Sequence, residues 1–234
     1  MADTINTIVF GYYPYLALTV LALGTIIRYD HEPYTWKAGS SQLLRRKQLV
    51  MGSVLFHVGV LMIFAGHVVG LLTPLWVWDM LGVTHTAKQW VAIIAGGIAG
   101  VMGIIGATLL VHRRFFDARV RAASNFADNM IILVLWVQLA LGLGTIFVSL
   151  QHLDGHEMVE LMTWAQGIFT FNPEAASHML HASPIFKAHI FLGLTIFVLF
   201  PFTRLVHMLS APIRYLWRPG YQVVRTKRHG LRSK

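Results

Sequence analysis

The sequence predicts an all-α integral membrane protein, a bundle of five transmembrane helices, and three observations carry that prediction. The 234-residue chain is 56% apolar and 12% charged, with mean hydropathy +0.60, whereas a soluble domain carries about twice that share of charge. The apolar residues gather into five runs, 8–27, 50–72, 90–111, 130–149 and 184–209, each near or above the ~20 residues a helix needs to cross a bilayer. The basic residues gather between alternate runs. Each run is too long for a strand and carries glycines that a helix tolerates rather than turn clusters.

The first run begins without Lys or Arg, in MADTINTIVF, and the first basic residue, Arg28, comes after it. No small-residue cleavage site is present, so 8–27 reads as a retained first span rather than a signal peptide. Arg28, Lys37, Arg45, Arg46 and Lys47 then fill 28–50, and Arg113, Arg114, Arg119 and Arg121 fill 112–125. Arg204 lies near the end of the fifth run, and the tail 214–234 carries Arg214, Arg218, Arg225, Lys227, Arg228, Arg232 and Lys234. With five alternating spans, all but Lys88 and Lys187 of the nineteen basic residues fall on one side. Cytoplasmic loops carry this excess, so the N-terminus is expected outside (periplasmic) and the C-terminus in the cytoplasm. Asp79, Asp154, Glu157, Glu160 and Glu174 lean the other way.

The net charge of +9 is explained by that topology and needs no nucleic acid. Basic loops equally attract anionic lipid or an acidic partner subunit. No linker divides the chain, so 1–234 is expected to form one domain. Of the outer segments only 150–183 is long. Within it HEMVELMTWAQGIFTF, 156–171, has helical spacing but is too short and too acidic to span; it is expected to be an interfacial helix over the outer end of the bundle, with an ordered loop as the alternative.

Glycine recurs in the second run (Gly52, Gly59, Gly66, Gly70) and the third (Gly96, Gly97, Gly100, Gly103, Gly106). Small residues at such spacing let helices approach closely. That reading suits the third run, while Gly59 and Gly66 are expected to keep the second thin where a flat macrocycle would lie.

The chain has no cysteine. Thiolate-held iron–sulfur clusters, covalent c-type haem and disulfides are therefore excluded, and a redox cofactor here needs other ligands. Twelve histidines are present, and His57, His67, His189 and His207 lie well inside the apolar runs. An imidazole in hydrocarbon is costly without a partner. His178 and His181, three apart in the long outer segment, have a spacing open to metal, but nothing else there points to one.

On ideal helices His57 and His67 stand about 15 Å apart, and His189 and His207 about 27 Å apart on one face. The second and fifth spans are antiparallel, so His57 faces His207 near the inner side and His67 faces His189 nearer the outer. Each pair suits the two axial positions of one haem iron; the alternative is that each imidazole bonds a backbone carbonyl within the bundle. The two spacings differ by about 12 Å, and a kink at Pro201 is expected to absorb part of that difference.

LFHVGVLMIFAGHVVGLLTP, KAHIFLGLTIFVLFPFTRLVH, YPYLA and RYDHEPYTWKAGSSQ together resemble the γ subunit of respiratory nitrate reductase, a di-haem membrane cytochrome b. The resemblance runs from Tyr13 to the basic tail. It implies a subunit of a quinol:nitrate oxidoreductase in the inner (cytoplasmic) membrane of a bacterial or archaeal cell. Quinol (menaquinol or ubiquinol) is oxidised near the outer haem, and protons leave outside. Electrons cross through two b-type haems to an iron–sulfur β subunit and a molybdenum-containing α subunit, which reduces nitrate to nitrite. It implies His67 and His189 as ligands of the outer haem, His57 and His207 as ligands of the inner one, and Lys88 with Gly66 at the quinol site.

On its residue chemistry alone, Lys88 equally reads as a span-end lysine that snorkels to the interface. Arg113, Arg114 and Arg204 read either as haem-propionate contacts or as ordinary positive-inside residues. Asp79, Asp154 and Glu157 are candidate proton relays. Two other readings stand beside the first. One is the cytochrome b anchor of another quinone-linked complex, heterodisulfide-reductase-like or linked to sulfite reduction. The other is a non-redox proton channel or transporter.

Overall fold

The structure, a computed structural model, describes residues 2–36 and 44–209. Lys37 and the basic tail 214–234 lie outside the described residues. Every regular element among those residues is helical, and five helices are long and apolar enough to cross a membrane: Asp3–His31, Arg46–Leu72, His85–Phe116, Phe126–Ser149 and Pro184–Phe202. These are the first to fifth spans below. The first four run beyond the apolar runs, and polar side chains cap the starts of the third and fourth. Thr84 Oγ1 accepts the Ala87 N–H at the start of the third span, and Asn125 Oδ1 accepts that of Asp128 at the start of the fourth. Such caps satisfy N–H groups that a helix start leaves orphaned.

The spans pack in an arc: second on third, third on fourth, fourth on fifth, and fifth on first. The second and third touch backbone to backbone. A Cβ on Gly59 would meet Gly103 N at 2.6 Å and Ala99 O at 2.7 Å, and one on Gly106 would collide with the Phe56 backbone. Gly59 therefore serves the seam with the third span, not a surface facing the fifth, which corrects the expectation for it. Gly66 has open space where a Cβ would stand.

The first span is not uniformly α-helical. Its Ile8–Tyr12 stretch is a π-helical turn just before Pro14. Pro14 has no N–H to offer the Phe10 carbonyl, and that oxygen accepts the Trp164 indole N–H at 2.9 Å. Trp164 belongs to the amphipathic helix His156–Phe169, which lies over this end of the bundle. Gln166 Nε2 donates to Leu71 O at 3.0 Å and Thr73 O at 3.1 Å, capping the second span's last carbonyls. Trp164, Ala165 and Ile168 are buried with Phe10 and Met179. The helix is thus a lid.

The fifth span differs from the single kinked helix expected over 184–209. Its α-helix ends at Leu199, Phe200–Phe202 tightens to a 3-10 turn, Thr203 is extended (φ −123°, ψ −179°), and a second 3-10 turn spans Arg204–Met208. Pro201 removes one helical N–H, and its ring packs where Gly24 of the first span leaves room, Cγ lying 2.7 Å from a Cβ built there. His189 and His207 are therefore not on one helix.

Candidate functional site

Four imidazoles line the space between the second and fifth spans, in two pairs. The rings of His57 and His207 have centroids 6.0 Å apart, and those of His67 and His189 6.1 Å apart. Ten residues of one helix, about 15 Å, separate the pairs in depth. His207, which lies beyond the break at Pro201–Thr203, stands at the depth of His57.

Three of the rings have their Nδ1 committed. His57 Nδ1 lies 2.7 Å from Ser53 O, His67 Nδ1 2.8 Å from Ile63 O, and His207 Nδ1 2.5 Å from Arg204 O. A carbonyl only accepts, so Nδ1 must carry the proton and Nε2 the free lone pair. That is the tautomer a metal-ligating histidine needs. His189 is held otherwise. Its Nδ1 is buried without a hydrogen-bond partner among the described residues, Gln138 Nε2 donates to its backbone carbonyl at 3.1 Å, and its ring rests on Gly142.

Two imidazoles on opposite sides of one metal, each with a metal–nitrogen bond of about 2 Å, place their ring centroids roughly 6 Å apart. Both pairs have that separation. Among the described residues no three His, Asp or Glu side chains cluster as a site for a bare ion. Two axial nitrogens suit a metal that brings its other ligands with it, as haem iron does. The residues fit haem.

The two ends of this space differ. Beyond His67, Lys88 is buried with 7% relative exposure, so it does not snorkel. Its Nζ donates to Gly70 O at 2.9 Å, touches Met162 Sδ of the lid, and sits 4.8 Å from the Trp78 ring centroid. Among the described residues, nothing lies within 4 Å of a Cβ built on Gly66 or Gly70, one helical turn apart. This end therefore combines a cation, an aromatic face, open backbone and a roof.

Near His57 and His207 the arginines dominate. Arg113, only 2% exposed, donates to Leu44 O at 2.7 Å. Arg114 and Arg204 converge on one carboxylate, Asp128, at 3.4 Å and 2.6 Å. Arg28 donates from one nitrogen to Pro201 O at 2.6 Å and Thr203 O at 2.8 Å, taking up carbonyls that the helix break leaves orphaned. Just beyond the third span, Asp117 accepts the N–H groups of Val120 and Arg119 and pairs with Arg45 at 2.7 Å. The Val120 N–H above all, with that of Arg119 and the Arg45 guanidinium, holds its carboxyl below the usual carboxylate range.

Of the proposed relays, Asp79 lies 3.9 Å from His85 Nε2, and Glu157 has a buried oxygen without a hydrogen-bond partner among the described residues. His178 pairs with Glu160 at 2.8 Å. Sequence reasoning missed Gln138, Gly142, Asp128 and Arg28. Only Arg28 had a signal, as the first cation after an uncharged span; the others act through contacts far along the chain.

Comparison with known proteins agrees with this architecture over nearly the whole chain. The family model described as Nitrate reductase gamma subunit matches residues 6–227. The respiratory nitrate reductase 1 gamma chain of Escherichia coli (strain K12) is 47% identical over 223 residues, which cover 95% of this chain and 98% of that one. The respiratory nitrate reductase 2 gamma chain of the same organism is 45% identical over 228 residues, 97% of this chain and 100% of that one. The nitrate reductase gamma chain of Bacillus subtilis (strain 168) is 38% identical over 221 residues, 94% of this chain and 98% of that one. Five apolar helices and near-complete coverage at such identity lead to one conclusion: the chain belongs to the nitrate reductase gamma subunit family.

Proposed function

We propose that this chain is the quinol-oxidising cytochrome b subunit that anchors a nitrate reductase in the inner membrane. The observation that carries the reading is the pairing of four imidazoles at two depths, with ring centroids 6.0 and 6.1 Å apart. His67 and His189 would hold one b-type haem and His57 and His207 another. Bound there, the haems supply one-electron transfer between the two ends.

The chain's own residues do the rest. The carbonyls of Ser53, Ile63 and Arg204 fix three ring tautomers and make the ligating nitrogens more basic. Lys88, with Gly66 beside His67, binds quinol, menaquinol or ubiquinol, by donating an N–H to a quinol oxygen. The lid over Lys88 excludes bulk water from that contact. Oxidation of one quinol to quinone gives up two electrons and two protons; the protons leave at the Lys88 end. The charge bias of the loops supports an N-terminus outside, which puts that end outside too.

At the opposite, cytoplasmic end the basic segments 28–50, 112–125 and 214–234 dock the iron–sulfur and molybdenum-containing subunits. There two electrons and two protons convert nitrate to nitrite and water. Arg113, Arg114 and Arg204 would supply cations to haem propionates, the latter two also sharing Asp128. The same basic surface attracts anionic lipid. Family membership favours nitrate over other quinone-linked reactions.

Gentle detergent purification with visible spectroscopy tests the reading. The reduced-minus-oxidised spectrum should show a b-type α band with two haems per chain, accompanied by the two partner subunits. His67→Ala or His189→Ala should remove one haem, and His57→Ala or His207→Ala the other. A chain that purifies without haem refutes the redox reading and leaves the transporter class. Lys88→Ala should keep both haems while slowing quinol oxidation at least tenfold, and unchanged quinol kinetics would remove Lys88 from the site.

A further inference from the structure

His207 is the one imidazole of the four that no transmembrane α-helix carries. It follows the break at Pro201 and the extended residue Thr203, on the 3-10 turn Arg204–Met208. Its neighbours Leu205 and Val206 are buried with Ile131 and Phe200, so the turn is packed, but packing alone does not set the pitch of a ring. The ring is aimed by its Nδ1 bond to the Arg204 carbonyl. Arg204 is in turn held from another span, its Nε donating to Asp128 Oδ1 at 2.6 Å.

Asp128 is well placed to act as that anchor. It lies in the first turn of the fourth span, where the helix dipole favours an anion, and its own N–H is fixed by Asn125 Oδ1 at 2.7 Å. Its side chain is 14% exposed, and its second oxygen faces Arg114 at 3.4 Å. A largely desolvated, charge-assisted bond of this kind is among the strong ones. The series Asn125, Asp128, Arg204, His207 thus links a rigid helix start to a ring on a broken one.

We propose that Asp128 is the positioning residue of His207: acting through Arg204, its carboxylate holds the imidazole opposite His57 where helix continuity cannot. The proposal rests on the di-haem reading. It also gives Asp128 an electrostatic effect, because the anion offsets two arginines beside the His207 ligand. With haem bound there, removing that charge would favour the reduced, less positive state of the iron and raise its potential.

The test uses the full complex with Asp128→Ala, Asp128→Asn and Asp128→Glu, measuring haem per chain and a redox titration that resolves both haems. The wild-type complex, measured alongside, must hold two haems; a wild type without them sinks the parent reading, while a failure confined to the variants sinks only this one. Asp128→Ala is expected to fall from two haems towards one, losing the component that His207→Ala loses, and Asp128→Glu to restore it. Asp128→Asn, which keeps the shape, is expected to retain both haems and move only that component to a more positive potential. Two haems at wild-type potentials in both Asp128→Ala and Asp128→Asn would overturn the assignment. So would equal loss of both haems in all three variants, which is what a merely structural residue gives. If Asp128→Ala does not accumulate, the potential of Asp128→Asn decides.

Discussion

The second and fifth spans each contribute two imidazoles, and they do so by opposite means. The second is one unbroken helix, Arg46–Leu72, and it holds His57 and His67 in the same way, each Nδ1 bonded to the carbonyl four residues earlier. It is made stiff by backbone contact with the third span at Gly52, Gly59, Gly103 and Gly106. The fifth carries His189 on its α-helix and His207 on a separate turn. The first is held by Gln138 and Gly142 of the fourth span, the second by Arg204, itself bonded to Asp128. One wall takes its geometry from its own backbone, and the other from its neighbours. The ten-residue spacing of the second span faces an eighteen-residue spacing that is interrupted at Pro201–Thr203.

If the second span's precision comes from its seam, forcing the seam apart should do the most damage. Gly59→Val puts a branched side chain where even one methyl meets Gly103 N at 2.6 Å, and backbone cannot move aside as a flexible side chain can. Overpacking of this kind costs about 1–3 kcal/mol and sometimes more. The expected result is a large fall in thermal stability in detergent; on the di-haem proposal, both haems should be lost together because His57 and His67 shift together. Wild-type melting with both haems retained would show that the seam does not set the wall.

The fifth span should fail more locally. Arg28→Gln removes the guanidinium that bonds Pro201 O and Thr203 O, and hydrogen bonds to a charged group contribute about 1.5–3 kcal/mol each. Arg28 is only half-buried, so the lower end of that range applies. Loss should be selective: the haem assigned to His57 and His207 weakens, while the one assigned to His67 and His189 stays. Equal weakening of both would mean that the break is not held separately.

These differences mark what could be read in advance. The five spans and the face-to-face placement of His57 with His207 and His67 with His189 follow from hydropathy and the parity of crossings, both local quantities. The end of the fifth span does not. Pro201 announces a disturbance, but the extended Thr203 depends on Arg28, 175 positions away in sequence. Gly59 could not be assigned a face because every side of the second span is apolar, so the sequence carries no periodicity to orient it. Lys88 was visible as a lysine at a span end; its burial depends on a lid docked through Trp164 and the carbonyl that Pro14 leaves free. The acidic partner of Arg204, Asp128, looks in sequence like any first-turn acid.

The smallest effect lies outside both walls, at Asp117, and it separates capping from ion pairing in the basic 112–125 segment. Its carboxyl is held low mainly by the Val120 N–H, with the Arg119 N–H and the Arg45 guanidinium adding to it. A depressed folded-state value means that the group stabilises the fold above its unfolded value, near 3.8, and that this contribution is lost as pH falls through the lower folded value. Amide exchange at Val120 should therefore be insensitive to this group from pH 7 down to about 5, then show progressive loss of protection below about 4. Asp117→Asn keeps a side-chain oxygen for the cap, so protection at pH 7 should drop only slightly. Its acid-dependent component should vanish. The Arg45 side chain is 53% exposed, and a pair that open contributes little; Arg45→Gln should therefore leave both the protection and its pH profile nearly as they are. If Arg45→Gln instead abolishes the acid dependence, the ion pair and not the cap holds this turn against the bundle.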